Sequence, residues 1–206
     1  MNQIALPFAW PVADKEEDFL LSEPNRAAFD HLTRWSLWPV MATLVTGPRK
    51  CGRSLLGRIF VRKTGGRLFD NAEQHEEEEL FHAWNDAQAR RKPLLIVADA
   101  APPAWAIKLP DLRSRLAATP HIEIGPPDDA LVGQLILKLL GDRGIAAPPE
   151  LADYLVPRIE RSYVSILMIV DILDRVMLSH HRRMTVPLAR KALDEAGMIF
   201  RAGRTG

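Results

Sequence analysis

Residues 45–60, VTGPRKCGRSLLGRIF, have the outline of a glycine-rich phosphate-binding loop followed by a helix. Gly47 and Gly52 would let backbone N–H groups approach a phosphate, and the helix N-terminus would face the anion. Ser54 stands where such loops carry a Mg²⁺-binding hydroxyl, but Arg53 stands where they carry Lys. Arginine keeps the charge, although its planar guanidinium favours bidentate contacts. The stretch is therefore consistent with a working nucleotide site, a remnant of one, or an ordinary glycine-rich turn.

Around this loop the sequence alternates between short apolar runs and amphipathic stretches. Strands are predicted in VMATLVTG, GGRLFDNA and KPLLIVADA, with helices in SEPNRAAFDHLTRW, SLLGRIFV and EEEELFHAWNDAQARR. Strands separated by helices favour a parallel α/β sheet. After HIEIGPPDDA the pattern is helical only. We therefore expect a proline-limited extended tail over residues 1–18, an α/β core over 19–125 and a small all-helical lid over 126–206.

Composition narrows the functional classes. The 206 residues carry a formal charge of +1, which gives no general reason to expect nucleic acid or a membrane as the main partner. A single cysteine excludes an internal disulfide framework, and no secretory signal or membrane-length apolar run is found. We expect a soluble cytoplasmic protein.

Two acidic residues end predicted strands where a nucleotide site would need them. Asp70 follows the strand after the loop's helix, where an acid would organise Mg²⁺, and Asp99 closes the next strand, near the γ-phosphate. Asn71 can hydrogen-bond a water but cannot accept its proton, so hydrolysis by the chain itself should be slow. Because Asp is common at turns, each acid alone is equally consistent with a purely structural role.

Taken in order, these motifs resemble the DnaA-related AAA+ ATPases and, among them, the Hda-like regulators. The loop resembles Walker A, with a Gly-Arg-Ser variant that such regulators also show, LFDNA resembles Walker B, and ADAAPP resembles the sensor I turn. The resemblance implies ADP or ATP as cofactor, with Mg²⁺ on Ser54 and Asp70. It assigns the nucleotide to Gly47, Gly52, Arg53, Ser54, Asp70, Asn71 and Asp99.

Two more segments carry the resemblance towards function. LPDLRSRL resembles the box VII segment that holds an arginine finger, which we assign to Arg115 with Arg113 left open. Without the resemblance, both arginines would be expected to pair with lid acids such as Asp128 or Asp129. QIALPF resembles the short tail motif that docks on the DNA sliding clamp, with Gln3, Leu6 and Phe8 as anchors.

The resemblance thus implies a regulator of replication initiation. It would bind the sliding clamp and promote ATP hydrolysis by the initiator DnaA, with little or no activity of its own. A helix-turn-helix domain is not found after the lid, so direct sequence-specific DNA binding is not expected. Homo-oligomerisation is left open by the sequence.

The sequence also departs from the family pattern. Only fifteen residues separate Ser54 from Asp70, too few for the usual helix, strand, helix and strand, so one core strand is expected to be missing. Val164 stands where the sensor II arginine is expected. Arg161 lies near and is a candidate substitute, but the sequence favours a solvated helix-end arginine there. Two alternatives stay open: a degenerate adaptor without nucleotide binding, and a small P-loop kinase, which would need a phosphate-clamping Lys and an arginine-rich lid.

Overall fold

The computed structural model of the protein describes residues 18–180 and 183–200. Its centre is a parallel sheet built from four short strands, β1 (Ala42–Thr46), β2 (Arg67–Phe69), β3 (Leu94–Val97) and β4 (His121–Glu123). Their order across the sheet is β2-β3-β1-β4. The two central strands are buried at every position, as is typical of parallel sheets covered on both faces.

Four helices cover the sheet. They are α1 (Glu23–Thr33), α2 (Arg53–Thr64), α3 (Glu77–Arg90) and α4 (Pro110–Ala117). Because side chains alternate along a strand, Val45 of β1 packs with α1 and α2, whereas its neighbour Leu44 packs with α3 and α4. The predicted α/β architecture is confirmed.

The expected loss of one core strand is also confirmed. Helix α2 ends at Thr64 and is followed by Gly65, whose φ of 67° suits a residue without a side chain. Strand β2 begins two residues after Gly65, at Arg67. No room remains for a further helix and strand between them. Among the described residues, β2 is therefore an edge strand that pairs only with β3.

The C-terminal helices enclose a second hydrophobic core. They are α5 (Asp129–Asp142), α6 (Pro149–Leu155), α7 (Tyr163–His180) and α8 (Val186–Glu195). Leu140, Leu151 and Ile169 are fully buried between them. Leu131 of α5 and Tyr163 of α7 belong instead to the hydrophobic cluster that contains residues of β1 and α2. The C-terminal helices therefore pack directly against the α/β core.

Helix boundaries follow local capping. Helix α5 begins where the Asp128 carboxylate accepts a hydrogen bond from Leu131 N–H at 2.7 Å.

Strand β4 was not predicted as a separate element, because its three residues are too few to show a periodic pattern. Strand β4 ends at Glu123 and α5 begins at Asp129, so residue 125 lies between these two elements. The domain boundary near residue 125 stays a prediction. No helix in the described ranges is long and apolar enough to cross a membrane.

Candidate functional site

The loop between β1 and α2 has the backbone of an anion-binding loop. Gly47 (φ 152°), Lys50 (φ 68°) and Gly52 (φ 95°) all have positive φ. A Cβ on Gly47 would lie 2.7 Å from the Ile124 carbonyl oxygen, so a larger residue does not fit there. Helix α2 starts without a side-chain cap, which leaves its first N–H groups without side-chain acceptors. This end of α2 is suited to a phosphate.

Arg53 is the first residue of α2, and its side chain points to strand β3. Only 9% of it is exposed. One guanidinium nitrogen donates to the carbonyl oxygen of Ala98, and the other lies 2.5 Å from Asp99 Oδ1. The predicted site residues Arg53 and Asp99 are thus brought together, as partners of one another.

Ser54 and Asp70 form a second internal pair. Ser54 Oγ donates to Asp70 Oδ1 at 2.9 Å, which joins the start of α2 to the end of β2. Asn71 follows in the left-handed region (φ 52°) and is exposed. Strands β1, β2 and β3 end at the same edge of the sheet, so residues from three separate motifs meet around Arg53.

Glu73 belongs to the same network and was missed by the sequence analysis. Its carboxylate accepts hydrogen bonds from the N–H groups of Asp99 and Ala100, the second at 3.4 Å. The turn after β3 is therefore held from two sides, by Arg53 and by Glu73. The sequence signal that could have identified Glu73 was an acidic residue three positions after Asp70, near the end of a strand with a parallel neighbour.

The lid side of the loop is lined by a segment just before α1. The Phe19 ring lies 3.3 Å from the position that a Cβ on Gly52 would take, and it stacks on Phe29 with 6.3 Å between ring centroids. Asp18 Oδ1 accepts from Lys138 Nζ of α5 at 3.2 Å. A cavity of about 170 Å³ remains, bordered by this segment, the loop, α5 and α7.

Two buried groups also border this cavity. Burial raises the pKa of the Cys51 thiol, which lies in the loop, and the pKa of the Tyr163 hydroxyl, which donates to the Gly125 carbonyl oxygen at 3.1 Å. Both groups therefore stay protonated at neutral pH. Neither supplies charge for a ligand.

A nucleotide with Mg²⁺ fits part of this arrangement and conflicts with the rest. The start of α2 suits phosphate, and a separation of 2.9 Å suits Ser54 and Asp70 as neighbouring ligands of one octahedral Mg²⁺. However, Arg53, which would neutralise the phosphates, already pairs with Asp99, and Phe19 lies against Gly52. As arranged, these residues do not fit a nucleoside triphosphate.

Helix α4 presents the two arginines of the LPDLRSRL segment. Arg115 is exposed, and its guanidinium carbon lies 4.8 Å from the centre of the Trp84 ring. Arg113 is also exposed but donates to the Ile107 carbonyl oxygen at 2.6 Å. Within the described ranges, neither arginine forms an ion pair with a lid acid. Asp128 caps α5, and Asp129 lies 2.6 Å from Arg161.

The start of α4 is fixed by Glu77 of α3. Its carboxylate accepts from Lys108 N–H at 3.0 Å and from Leu109 N–H at 2.6 Å. These hydrogen bonds lower the pKa of Glu77. The helix that carries Arg115 is thereby attached to the core at its N-terminal end.

The remaining predicted residues lie elsewhere. Arg161 forms a surface ion pair with Asp129, and Val164 is 44% exposed. The three tail anchors Gln3, Leu6 and Phe8 lie outside the described residues.

Comparison with known proteins gives a family match for part of the lid. Residues 135–193 match the family model described as the lid domain of Hda. An uncharacterized protein of Haemophilus influenzae is 30% identical over 116 residues, which are 56% of this chain. The chain spans about half the length of that curated relative.

The fold resembles solved AAA+ structures. Domain III of DnaA from Thermotoga maritima matches with a TM-score of 0.74 and 14% identity, over 91% of this chain and 98% of that one. AMPPCP-bound DnaA from Aquifex aeolicus matches with a TM-score of 0.67 and 16% identity, over 91% and 71%. The RuvB motor of Thermotoga maritima matches with a TM-score of 0.63 and 12% identity, over 90% and 72%. At these identities the likeness shows the fold.

Proposed function

We propose, from the premise that the chain is an Hda/DnaA-like AAA+ protein, that it regulates the initiation of chromosome replication. It binds the sliding clamp through its N-terminal tail and promotes ATP hydrolysis by DnaA. The observation that carries this proposal is the match of residues 135–193 to the Hda lid on a DnaA-like core. Such a regulator works in the cytoplasm and needs no sequence-specific DNA contact of its own.

The tail is the proposed clamp ligand. Leu6 and Phe8 are apolar anchors of the QIALPF motif, and short extended peptides of this kind bind through a few such side chains. The first described residues after the tail are Asp18–Leu20, and Asp18 is paired with Lys138 of α5. A tail bound to the clamp would therefore place the core and lid next to the DNA-loaded ring.

Arg115 is the proposed arginine finger for ATP held by DnaA. A finger needs a fixed guanidinium at a surface, where it can reach the charge that develops on a transferring phosphoryl group. Exposure, the Trp84 contact and the Glu77 anchor of α4 favour Arg115 for that role. Arg113 is less suited because its guanidinium is bonded to the Ile107 carbonyl.

A pull-down with DNA-loaded clamp tests the proposal. Wild-type protein should be retained, and replacing Leu6 and Phe8 together by Ala should weaken binding by at least about 2 kcal/mol, since each anchor is a hot-spot side chain. Val12→Ala, in the same tail but outside the motif, is the matched control. Unchanged retention of the double variant would reject the tail as the clamp ligand.

A second candidate function is an adaptor that joins the same partners without binding nucleotide. The contact between Arg53 and Asp99 favours it, because it neutralises the cation on which phosphate binding depends. The same contact argues against the P-loop kinase, which would need a free phosphate-clamping cation at that place.

A further inference from the structure

Arg53 has its acceptors within the protein. With 9% of its side chain exposed, the guanidinium has little access to water, and its two bonds go to Ala98 and Asp99. A buried cation separated from such partners loses much of its stabilisation. A phosphate at Arg53 would have to compete with both acceptors, and it would be repelled by the adjacent Asp99 carboxylate. The pair therefore opposes phosphate binding electrostatically.

The space beside the loop is also occupied from within. Phe19 lies against Gly52, and Leu20 is held in place because Asn25 Nδ2 donates to its carbonyl oxygen at 2.8 Å. Lys138 of α5 pairs with Asp18. The remaining cavity of about 170 Å³ is smaller than the roughly 300–1,000 Å³ of typical small-molecule pockets. A base and ribose would have to displace this segment.

The lid is held on the core by the protein's own contacts. Leu131 of α5 and Tyr163 of α7 are buried with Val45 and Leu56 in one hydrophobic cluster. Ser22 Oγ, next to α1, donates to the Asp128 carboxylate at 3.0 Å. Side chains of the protein itself therefore join the core to the lid.

We propose that the nucleotide site of this chain is filled from within, by Arg53 at its phosphate end and by Phe19 and Leu20 on its lid side, so that core and lid stay together without nucleotide. This inference rests on the proposed function and deepens it, because the regulator would act without bound nucleotide. The clamp and DnaA contacts are not part of the inference, and its test uses the isolated chain.

Calorimetric titration of the isolated protein with Mg-ATP and with Mg-ADP tests the inference, together with thermal unfolding at the same nucleotide concentrations. We expect no binding heat, no shift of the Tm and no nucleotide released from the purified protein on denaturation. A ligand at about 100 times its Kd would raise the Tm of a domain of this size by roughly 5–10 °C. Such a shift, or one nucleotide released per chain, would overturn the inference.

Variants test the same inference without nucleotide. Phe19→Ala and Arg53→Lys should each lower the Tm of the unliganded protein, because the first empties the lid side and a lysine lacks the planar fork that reaches two acceptors. Arg49→Ala, in the exposed part of the same loop, is the matched control and should leave the Tm unchanged. An unchanged Tm in both test variants would show that these side chains do not fill the site and would reject the inference.

Because these measurements involve neither clamp nor DnaA, they separate the two proposals. Clamp retention together with nucleotide binding would reject only the internally filled site. Absence of nucleotide binding together with loss of clamp retention would reject only the proposed function.

Discussion

The loop before α2 and the exposed surface of α4 both present arginine, and their environments give it opposite uses. Arg53 is buried and bonded to two acceptors, whereas Arg115 is exposed and rests on one aromatic ring. A guanidinium keeps its charge in both places because its pKa is so high. What differs is whether acceptors within the protein already neutralise it. Of these two arginines, Arg115 is the one exposed to a charge on another molecule.

The strongest test of this comparison is Arg115→Ala. We expect stimulation of DnaA-bound ATP hydrolysis to fall on the order of 10³-fold or more, as on removal of an arginine finger. Folding should survive, because an exposed cation–π contact contributes only about 0.5–1 kcal/mol. Arg113→Ala is the matched control on the same helix and should keep most of the stimulation. Full stimulation by a well-folded Arg115→Ala protein would show that Arg115 does not act as an arginine finger.

The next effect should come from the loop backbone. Gly47→Ala places a Cβ 2.7 Å from the Ile124 carbonyl oxygen at a φ of 152°, so we expect it to reduce the free energy of unfolding by about 3 kcal/mol through overpacking and backbone strain. Chemical denaturation measures this loss. Gly141→Ala in α5 has open space around the new Cβ and should be neutral or raise stability by about 0.5–1 kcal/mol. Equal stability of the two variants would show that the loop is not tightly packed.

A smaller effect is expected from the pair of Arg53 and Asp99. Arg53→Met should reduce the free energy of unfolding by roughly 1–2 kcal/mol, because Asp99 is 59% exposed and stays hydrated when its partner is lost. A double-mutant cycle with Asp99→Ala, followed by denaturant unfolding, isolates the coupling between the two side chains. A coupling near zero would mean that Arg53 is held by Ala98 alone.

The smallest effect concerns the anchor of α4. The pKa of Glu77 is lowered by the N–H groups of Lys108 and Leu109, so the charged form stabilises the folded protein. That contribution is present above the ordinary glutamate pKa of about 4.3 and is lost as the pH falls through the lower pKa of the folded state. Glu77→Gln should therefore be slightly less stable than wild type at pH 7, with the difference shrinking towards pH 3. Tm values measured across that range check the sign, and a difference that grows on acidification would contradict it.

The sequence by itself determined the order of elements apart from β4, the lost strand and the loop. Alternating apolar runs and amphipathic stretches encode strands and helices locally, and the fifteen residues between Ser54 and Asp70 leave no space for the missing strand. Gly47 and Gly52 also identify the loop locally, because glycine adopts a positive φ more readily than other residues. The resemblance to a known family assigned Arg53, Ser54, Asp70 and Asp99 to one site, and the structure shows two pairs among them, Arg53 with Asp99 and Ser54 with Asp70.

Only the tertiary structure decided how those residues are used. Asp99 lies 46 positions from Arg53, and Glu73 lies 26 positions from the N–H that it accepts, distances at which no periodic pattern reports a contact. The position of Phe19 against Gly52 depends likewise on how the segment before α1 packs between loop and lid. Burial fixes the partner of a charged side chain, and burial is a property of the folded chain. The motif therefore predicted which residues form the candidate site, while packing determined that Arg53 is satisfied from within.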